Sequence, residues 1–267
     1  MPRKERLDKI LVSKGLVKSR ELARAFIMEG KVFVEGKKII KAGASVSETS
    51  DISLKETLPY VSRGGLKLEA AINFFNICLN NKIVMDIGSS TGGFTDCLLK
   101  MGAKKVYCID VGYGQLAWSL RTDPRVVVME RTNMRYLDEI VRGAESSKFK
   151  GCEFEDLVKS NIDLATVDVS FISLTKVIPS VVGFLKEEGE VLALVKPQFE
   201  VGKGEVGDHG VVHDQELHLR VLAEIEAFAR DRGLTVLGTC ESPLIGPAGN
   251  REFFICLEKA KGAGGTG

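Results

Sequence analysis

The sequence predicts an α/β protein: a doubly wound, mostly parallel sheet of seven strands, preceded by a small basic α+β module. Three observations predict it. From residue 83 onward, short apolar runs alternate with amphipathic ones. The first of these, Ile83-Val-Met-Asp-Ile87, breaks straight into Gly88-Ser-Ser-Thr-Gly-Gly-Phe94, as a buried parallel strand does when it turns into a helix. Charge is also divided unevenly. Residues 1–65 hold 14 Lys and Arg against 8 Asp and Glu, a net of +6, while the remainder holds 23 against 28, a net of −5. A basic head on a mildly acidic body points to a polyanion-binding module joined to something else.

The head reads as two short helices and a small sheet. Leu7, Ile10 and Leu11 make one apolar face over residues 6–14, and Leu22, Ala23, Phe26 and Ile27 make another over 20–29. Gly15 ends the first helix, Ser19 caps the second and Gly30 stops it. Lys31-Val-Phe-Val34, the turn Glu35-Gly36 and Lys37-Lys-Ile-Ile40 form a hairpin, and residues 51–55 add a third strand. The order of Arg6-Leu-Asp-Lys9, Val17-Lys-Ser-Arg20 and Ile27-Met-Glu-Gly-Lys-Val-Phe-Val-Glu-Gly36 resembles the RNA-binding domain first known from ribosomal protein S-four. That resemblance implies binding of structured RNA through phosphates and shape, with Arg6, Arg20, Lys31, Lys37 and Lys38 as the contacting cations. No aromatic stacking platform accompanies them, which argues against a reader of single strands.

Pro59 closes the first domain, 1–59. Residues 60–65 are expected to link it to a second domain, 66–260, and the glycine-rich end, 261–267, to form a disordered tail. A helix is expected from Leu66 to about Phe75, with Lys67 in its first turn, where a cation opposes the helix dipole. Strands follow at about 83–87, 106–111, 126–130, 163–169, 190–196, 234–241 and 252–258, with helices on both faces of the sheet. The loop between the last two strands is too short for a helical crossover, so they are expected to pair antiparallel. A parallel sheet finished by an antiparallel hairpin is the Rossmann-like arrangement of class I methyltransferases, not that of nicotinamide-binding proteins.

The turn after the first of these strands lacks the second glycine of Gly-x-Gly-x-x-Gly, since Ser90 stands there, and it lacks the Gly-Lys-Ser/Thr of a triphosphate cradle. It suits a nucleoside with a modest anionic group, such as the carboxylate of S-adenosylmethionine. Gly88, Ser89, Ser90, Thr91, Gly92, Gly93 and Phe94 are the candidate cradle. Asp110, about 20 residues on at the end of a second buried strand, is placed to accept ribose hydroxyls. Asn133, after the third strand, can reach an adenine edge.

Asp168 ends the fourth strand, Lys196 the fifth, and Glu252 opens the last, so with Lys67 they can converge on one lip of the sheet. Two lysines and two carboxylates suit methyl transfer to a poorly acidic hydroxyl, such as a ribose 2′-hydroxyl, whose proton must leave as the methyl group moves. Lys196 is the candidate base or hydroxyl-orienting group, Asp168 and Glu252 orient the lysines, and Lys67 binds or tunes.

Ser62-Arg-Gly-Gly-Leu-Lys67, Asp86-Ile-Gly-Ser-Ser-Thr-Gly-Gly-Phe-Thr95, Asp110-Val-Gly-Tyr-Gly-Gln115, Glu130-Arg-Thr-Asn133, Val195-Lys-Pro-Gln-Phe-Glu200 and Gly246-Pro-Ala-Gly-Asn-Arg-Glu252 together resemble the TlyA family. The resemblance spans residues 5–258. It implies an FtsJ-like catalytic domain, S-adenosylmethionine as donor, and 2′-O-methylation of cytidine in ribosomal RNA of the large subunit alone or of both subunits. It also implies the catalytic tetrad Lys67, Asp168, Lys196 and Glu252, and ribosomal RNA or ribosomal subunits as partner.

Two other function classes compete. A non-catalytic RNA-binding assembly factor would bind RNA without a donor. A membrane-active haemolysin, the historical label of the family, finds no support, since no apolar run reaches the ~18 residues of a bilayer span. The six cysteines form no Cys-x-x-Cys pair and read as buried thiols of a cytoplasmic protein. His209, His213 and His218 lie close together but lack a further ligand, so no metal site is expected, and the glycine-rich 201–207 segment reads as a mobile loop.

Overall fold

In the computed structural model, residues 4–28, 30–54, 59–136, 156–157, 159–202, 204–246 and 248–262 are described. Cys152, the crossover at 137–155 and nearly all of the expected tail lie outside them. The chain forms two compact units, Met1–Leu58 and Pro59–Gly267.

In the first unit, helices α1 (Leu7–Ser13) and α2 (Arg20–Met28) pack through Leu7, Ile10, Leu11, Ala23 and Ile27. They share a core with Val32 and Val34 of the three-stranded sheet. That sheet sets β2 (Val32–Val34) between β3 (Lys37–Ile39) and β5 (Ile52–Leu54), both antiparallel to it. A separate antiparallel pair, β1 (Lys4–Arg6) with β4 (Ser45–Ser47), is additional to the sequence expectation. Its short polar strands carry no alternation by which they could be read.

The second unit holds a seven-stranded sheet. Its strands are β6 (Ile83–Ile87), β7 (Lys105–Ile109), β8 (Val126–Met129), β9 (Ile162–Val167), β10 (Leu185–Val195), β11 (Leu234–Glu241) and β12 (Phe253–Lys259). Their order is β11-β12-β10-β9-β6-β7-β8. β12 runs antiparallel to both β10 and β11, so the final hairpin forms as expected, with its last strand inserted beside β10 and β11 left at the edge.

Each central strand is buried on both faces. Met85, Ile87, Val167, Ala193 and Ile255 meet Val221 and Ile225 of α8 (Gln215–Asp231) on one side. Val84, Leu164, Leu192 and Phe254 meet Leu68 and Ile72 of α3 (Gly64–Phe75), with Cys97 and Leu98 of α4 (Gly93–Lys100), on the other. α3 begins inside the stretch expected as a linker. Cys97, Cys108 and Cys256 are buried, but Cys78 is exposed, because it follows the end of α3 rather than lying in a strand or helix. The crossover from β6 runs toward β7 and β8, whereas β9 and β10 lie on its other side. The crevice at the carboxyl ends of β6 and β9 is therefore the switch point at which ligands bind in such sheets.

Candidate active site

Four strand ends are locked together there. The Asp168 N–H donates to the Ile87 carbonyl (2.8 Å), Gly88 N–H to Ile109 (2.8 Å) and Asp110 N–H to Met129 (3.1 Å). Gly88, Asp110 and Asp168 thus emerge side by side. On the far side, Val195 pairs with Phe253 in the antiparallel β10–β12 ladder, so the next residues outward, Lys196 and Glu252, face each other beyond its end.

Two cavities open on this edge. The smaller, about 240 Å3, has Lys67, Asp168, Lys196 and Glu252 in its wall with Ser62, Arg63, Gly64 and the glycine turn. The larger, about 500 Å3, is lined by Asp110, Asn133, Gln115, Val111, Phe171 and others. Gly88, Ser90 and Asp168 line both.

The four charged residues form two pairs. Lys67 Nζ donates to Glu252 Oε2 at 2.5 Å, and Glu252 is only 1 % exposed. Lys196 Nζ lies 2.5 Å from Asp168 Oδ1 and donates to Ser170 Oγ at 3.1 Å. The Asp168 contact lacks hydrogen-bond alignment, so charge holds it. Beneath them Asp86 is fully buried. Its carboxylate accepts from Thr95 Oγ1 (2.6 Å) and Thr166 Oγ1 (3.1 Å). Burial pushes the Asp86 carboxyl up to about 7, with the two hydroxyls opposing the shift and the Asp168 charge adding to it. Burial likewise raises Glu200, whose Oε1 accepts the Leu174 N–H at 2.9 Å and so holds the loop after Asp168.

S-adenosylmethionine fits the larger cavity and the shared turn. The volume is that of a small-molecule pocket. At Gly88 (φ +79°) a Cβ would stand 2.2 Å from the Asp168 carbonyl oxygen, so only glycine fits there, and the same residue lines both cavities. Asp110 accepts one backbone N–H on each oxygen, from Ser90 and Gly112 (both 2.7 Å), which fixes the carboxylate and leaves lone pairs for hydroxyls. The positive end of α4 starts at Gly93 beside the turn. Gly88, Ser89, Ser90, Thr91, Gly93 and Phe94 all reach a cavity wall, as do Asp110 and Asn133; Gly92 reaches neither. Its φ of +95° and the Leu116 and Leu120 side chains against it make it a folding position.

The segment Pro59 to Lys259 encloses both cavities, and residues 60–259 match the FtsJ-like methyltransferase family, with residues 5–52 matching the S4 domain. The chain is 43 % identical over 259 residues to the 16S/23S rRNA (cytidine-2′-O)-methyltransferase TlyA of Mycobacterium tuberculosis, covering 96 % of this chain and 91 % of that one. The chain belongs to the TlyA family. It is also 33 % identical to the 23S rRNA (cytidine-2′-O)-methyltransferase TlyA of Campylobacter jejuni, over 91 % of this chain and 95 % of the relative. A solved Streptococcus thermophilus structure, provisionally named a hemolysin, superposes with a TM-score of 0.68 at 43 % identity, covering 98 % of this chain and 90 % of that one. TlyA proteins are S-adenosylmethionine-dependent methyltransferases. No helix among the described residues is long and apolar enough to cross a membrane.

Two residues at the edge of the site stand in motifs of the sequence but carried no assigned role there. Arg63 is exposed in the wall of the smaller cavity with no side-chain partner among the described residues. Phe171 is 90 % exposed at φ +63° in the wall of the larger one, its ring 4.9 Å from Phe199. An aromatic three residues past the strand-end Asp168 was the available signal. Among the described residues the three histidines form no group that could hold a metal ion. His218 is buried on α8 with Nε2 at 2.8 Å from the Val212 carbonyl, and the 201–213 segment is tied down by Glu205–Arg220 (2.6 Å) and by Val212 N–H to Asn250 Oδ1 (2.9 Å). In the first unit Arg6 and Arg20 converge on Asp8, whereas Lys37 and Lys38 lie on β3 and Lys31 just precedes β2.

Proposed function

We propose that this protein methylates the ribose 2′-hydroxyl of a cytidine in ribosomal RNA, free or within a ribosomal subunit, in the cytoplasm. The observation that carries this reading is the junction of the two cavities at Gly88, Ser90 and Asp168, with all four charged residues in the wall of the smaller. S-adenosylmethionine, when bound, supplies the electrophilic methyl group; Asp110 holds its ribose, Asn133 its base, and Gly88 to Phe94, apart from Gly92, its amino-acid arm.

The target ribose enters the smaller cavity. Lys196 Nζ orients its hydroxyl or, as the neutral amine, takes its proton, and Asp168 keeps Lys196 in place. Glu252 holds Lys67, whose ammonium binds the substrate beside the hydroxyl. The S4-type domain, residues 1–59, holds RNA phosphates through Arg6, Arg20, Lys31, Lys37 and Lys38.

The test is transfer of tritiated methyl from S-adenosylmethionine to free ribosomal RNA and separated ribosomal subunits from cells lacking the modification. Label is expected in RNA of one or both subunits. Lys196→Ala is expected to bind the donor as the wild type does and to lose at least 100-fold in turnover, in the range of a general-base loss. Loss of donor binding in that variant would reassign Lys196, and no label on free RNA or on either subunit would reject the reading.

A further inference from the structure

The first unit contains one acid in an unusual setting. Asp8 lies in the first turn of α1 and is 0 % exposed. It is covered by guanidinium groups. Arg6 grips it with Nε to Oδ1 and Nη2 to Oδ2, both at 3.0 Å. Arg20 Nη2 (3.1 Å) and Arg24 Nε (3.3 Å) both donate to Oδ2. Arg20 and Arg24 stand one helical turn apart on α2, so a single carboxylate gathers cations from two elements.

The arginines remain 44, 44 and 54 % exposed. Four N–H donors are spent on Asp8, and each guanidinium carries five, so most remain for other acceptors. Asp8, Glu5 and Glu21 set three negative charges against Arg6, Arg20, Arg24 and Lys9, which pairs with Glu5 at 3.5 Å, and leave a net of one positive charge. Fixed forks of this kind match phosphate oxygens.

We propose that Asp8 is the organising centre of a three-arginine phosphate clamp made by Arg6, Arg20 and Arg24, so that a buried acid strengthens the hold of this unit on the RNA backbone. The inference rests on the RNA reading above and adds Arg24 and Asp8 to it. Its sign separates it from simple charge counting. Deleting an acid raises the net charge, which by itself tightens polyanion binding. Ordering a long side chain before binding is worth roughly a two- to tenfold gain in affinity for each. Three such side chains outweigh one added charge screened over about 8 Å at physiological salt.

The experiment is a salt titration of binding of the full chain to purified ribosomal RNA, comparing the wild type with Asp8→Asn, Arg24→Gln and Arg24→Lys. Asp8→Asn is expected to weaken binding about tenfold or more despite its extra positive charge. Arg24→Gln should lower affinity and reduce the slope of log affinity against log salt by about one. Arg24→Lys should keep the slope while losing affinity. Tighter binding by folded Asp8→Asn would overturn the proposal and leave the RNA reading intact. So would an unchanged slope in Arg24→Gln, which decides the matter if circular dichroism shows Asp8→Asn unfolded. Absence of salt-dependent binding by the wild type would overturn both.

Discussion

Gly88 has no room for a methyl group. Its positive φ alone costs an alanine about 1 kcal/mol, and the added carbon would stand 2.2 Å from the backbone oxygen of Asp168. Because that oxygen belongs to the residue that pairs with Lys196, the strain falls on both cavities. Gly88→Ala is expected to lower the melting temperature and weaken donor binding at least tenfold by calorimetry; unchanged donor affinity would separate the turn from the donor site. Phe171 makes the opposite case, a large apolar ring left to solvent. Stacking of a base on an aromatic ring is worth about 1–3 kcal/mol, and Phe171 stands in the wall of the donor cavity, so Phe171→Ala should weaken donor binding about fivefold or more by calorimetry; unchanged donor affinity with a raised KM for RNA would place the ring on the RNA side. The glycine turn was legible because strand, turn and helix each leave a local trace. Phe171 was not, because its place three residues past Asp168 marks the loop but does not tell a buried aromatic from an exposed one.

At the scale of elements, the insertion of β12 between β10 and β11 brings Glu252 to Lys196 and Lys67. The sequence revealed the antiparallel hairpin through its short loop, but not which neighbour the last strand would take, since that choice depends on pairing between segments about 60 residues apart. The four charged residues were nonetheless identifiable, because each sits at the end of a buried strand or in the first turn of a helix. The loop that delivers Glu252 is itself anchored. Asn250, 1 % exposed, accepts from Val212 N–H (2.9 Å) and donates to the Gly210 carbonyl (2.9 Å). Asn250→Ala would strip a partner from each of these backbone groups, at about 1–3 kcal/mol for each left buried. Faster amide exchange across 210–213 and a fall in kcat are the expected results. Loss of neither would mean that Glu252 is held by Lys67 and the β12 ladder alone.

Across the whole molecule, each unit carries one acid without solvent exposure whose shift is large, Asp8 downward and Asp86 upward, and the two oppose each other in their response to pH. The Arg6 guanidinium, with those of Arg20 and Arg24, holds Asp8 well below the usual carboxylate range against the opposing effect of desolvation. Its contribution to the first unit is complete above the unfolded value near 4 and is lost as pH falls through the depressed folded value. Asp86, raised to about 7 chiefly by burial, acts the other way on the second unit. Its folded form binds a proton that the unfolded form has released, so stability falls as pH rises from about 4 to 7, by up to roughly 4 kcal/mol. Acidification from pH 7 to 5 should therefore raise amide protection factors, which are corrected for the intrinsic exchange rate, in the second unit and leave those of the first unchanged, whereas below pH 4 the first should open earlier. Asp86→Asn should flatten the pH 4–7 dependence in the second unit alone. A slope that survives this substitution would place its source elsewhere among the acids of the sheet edge.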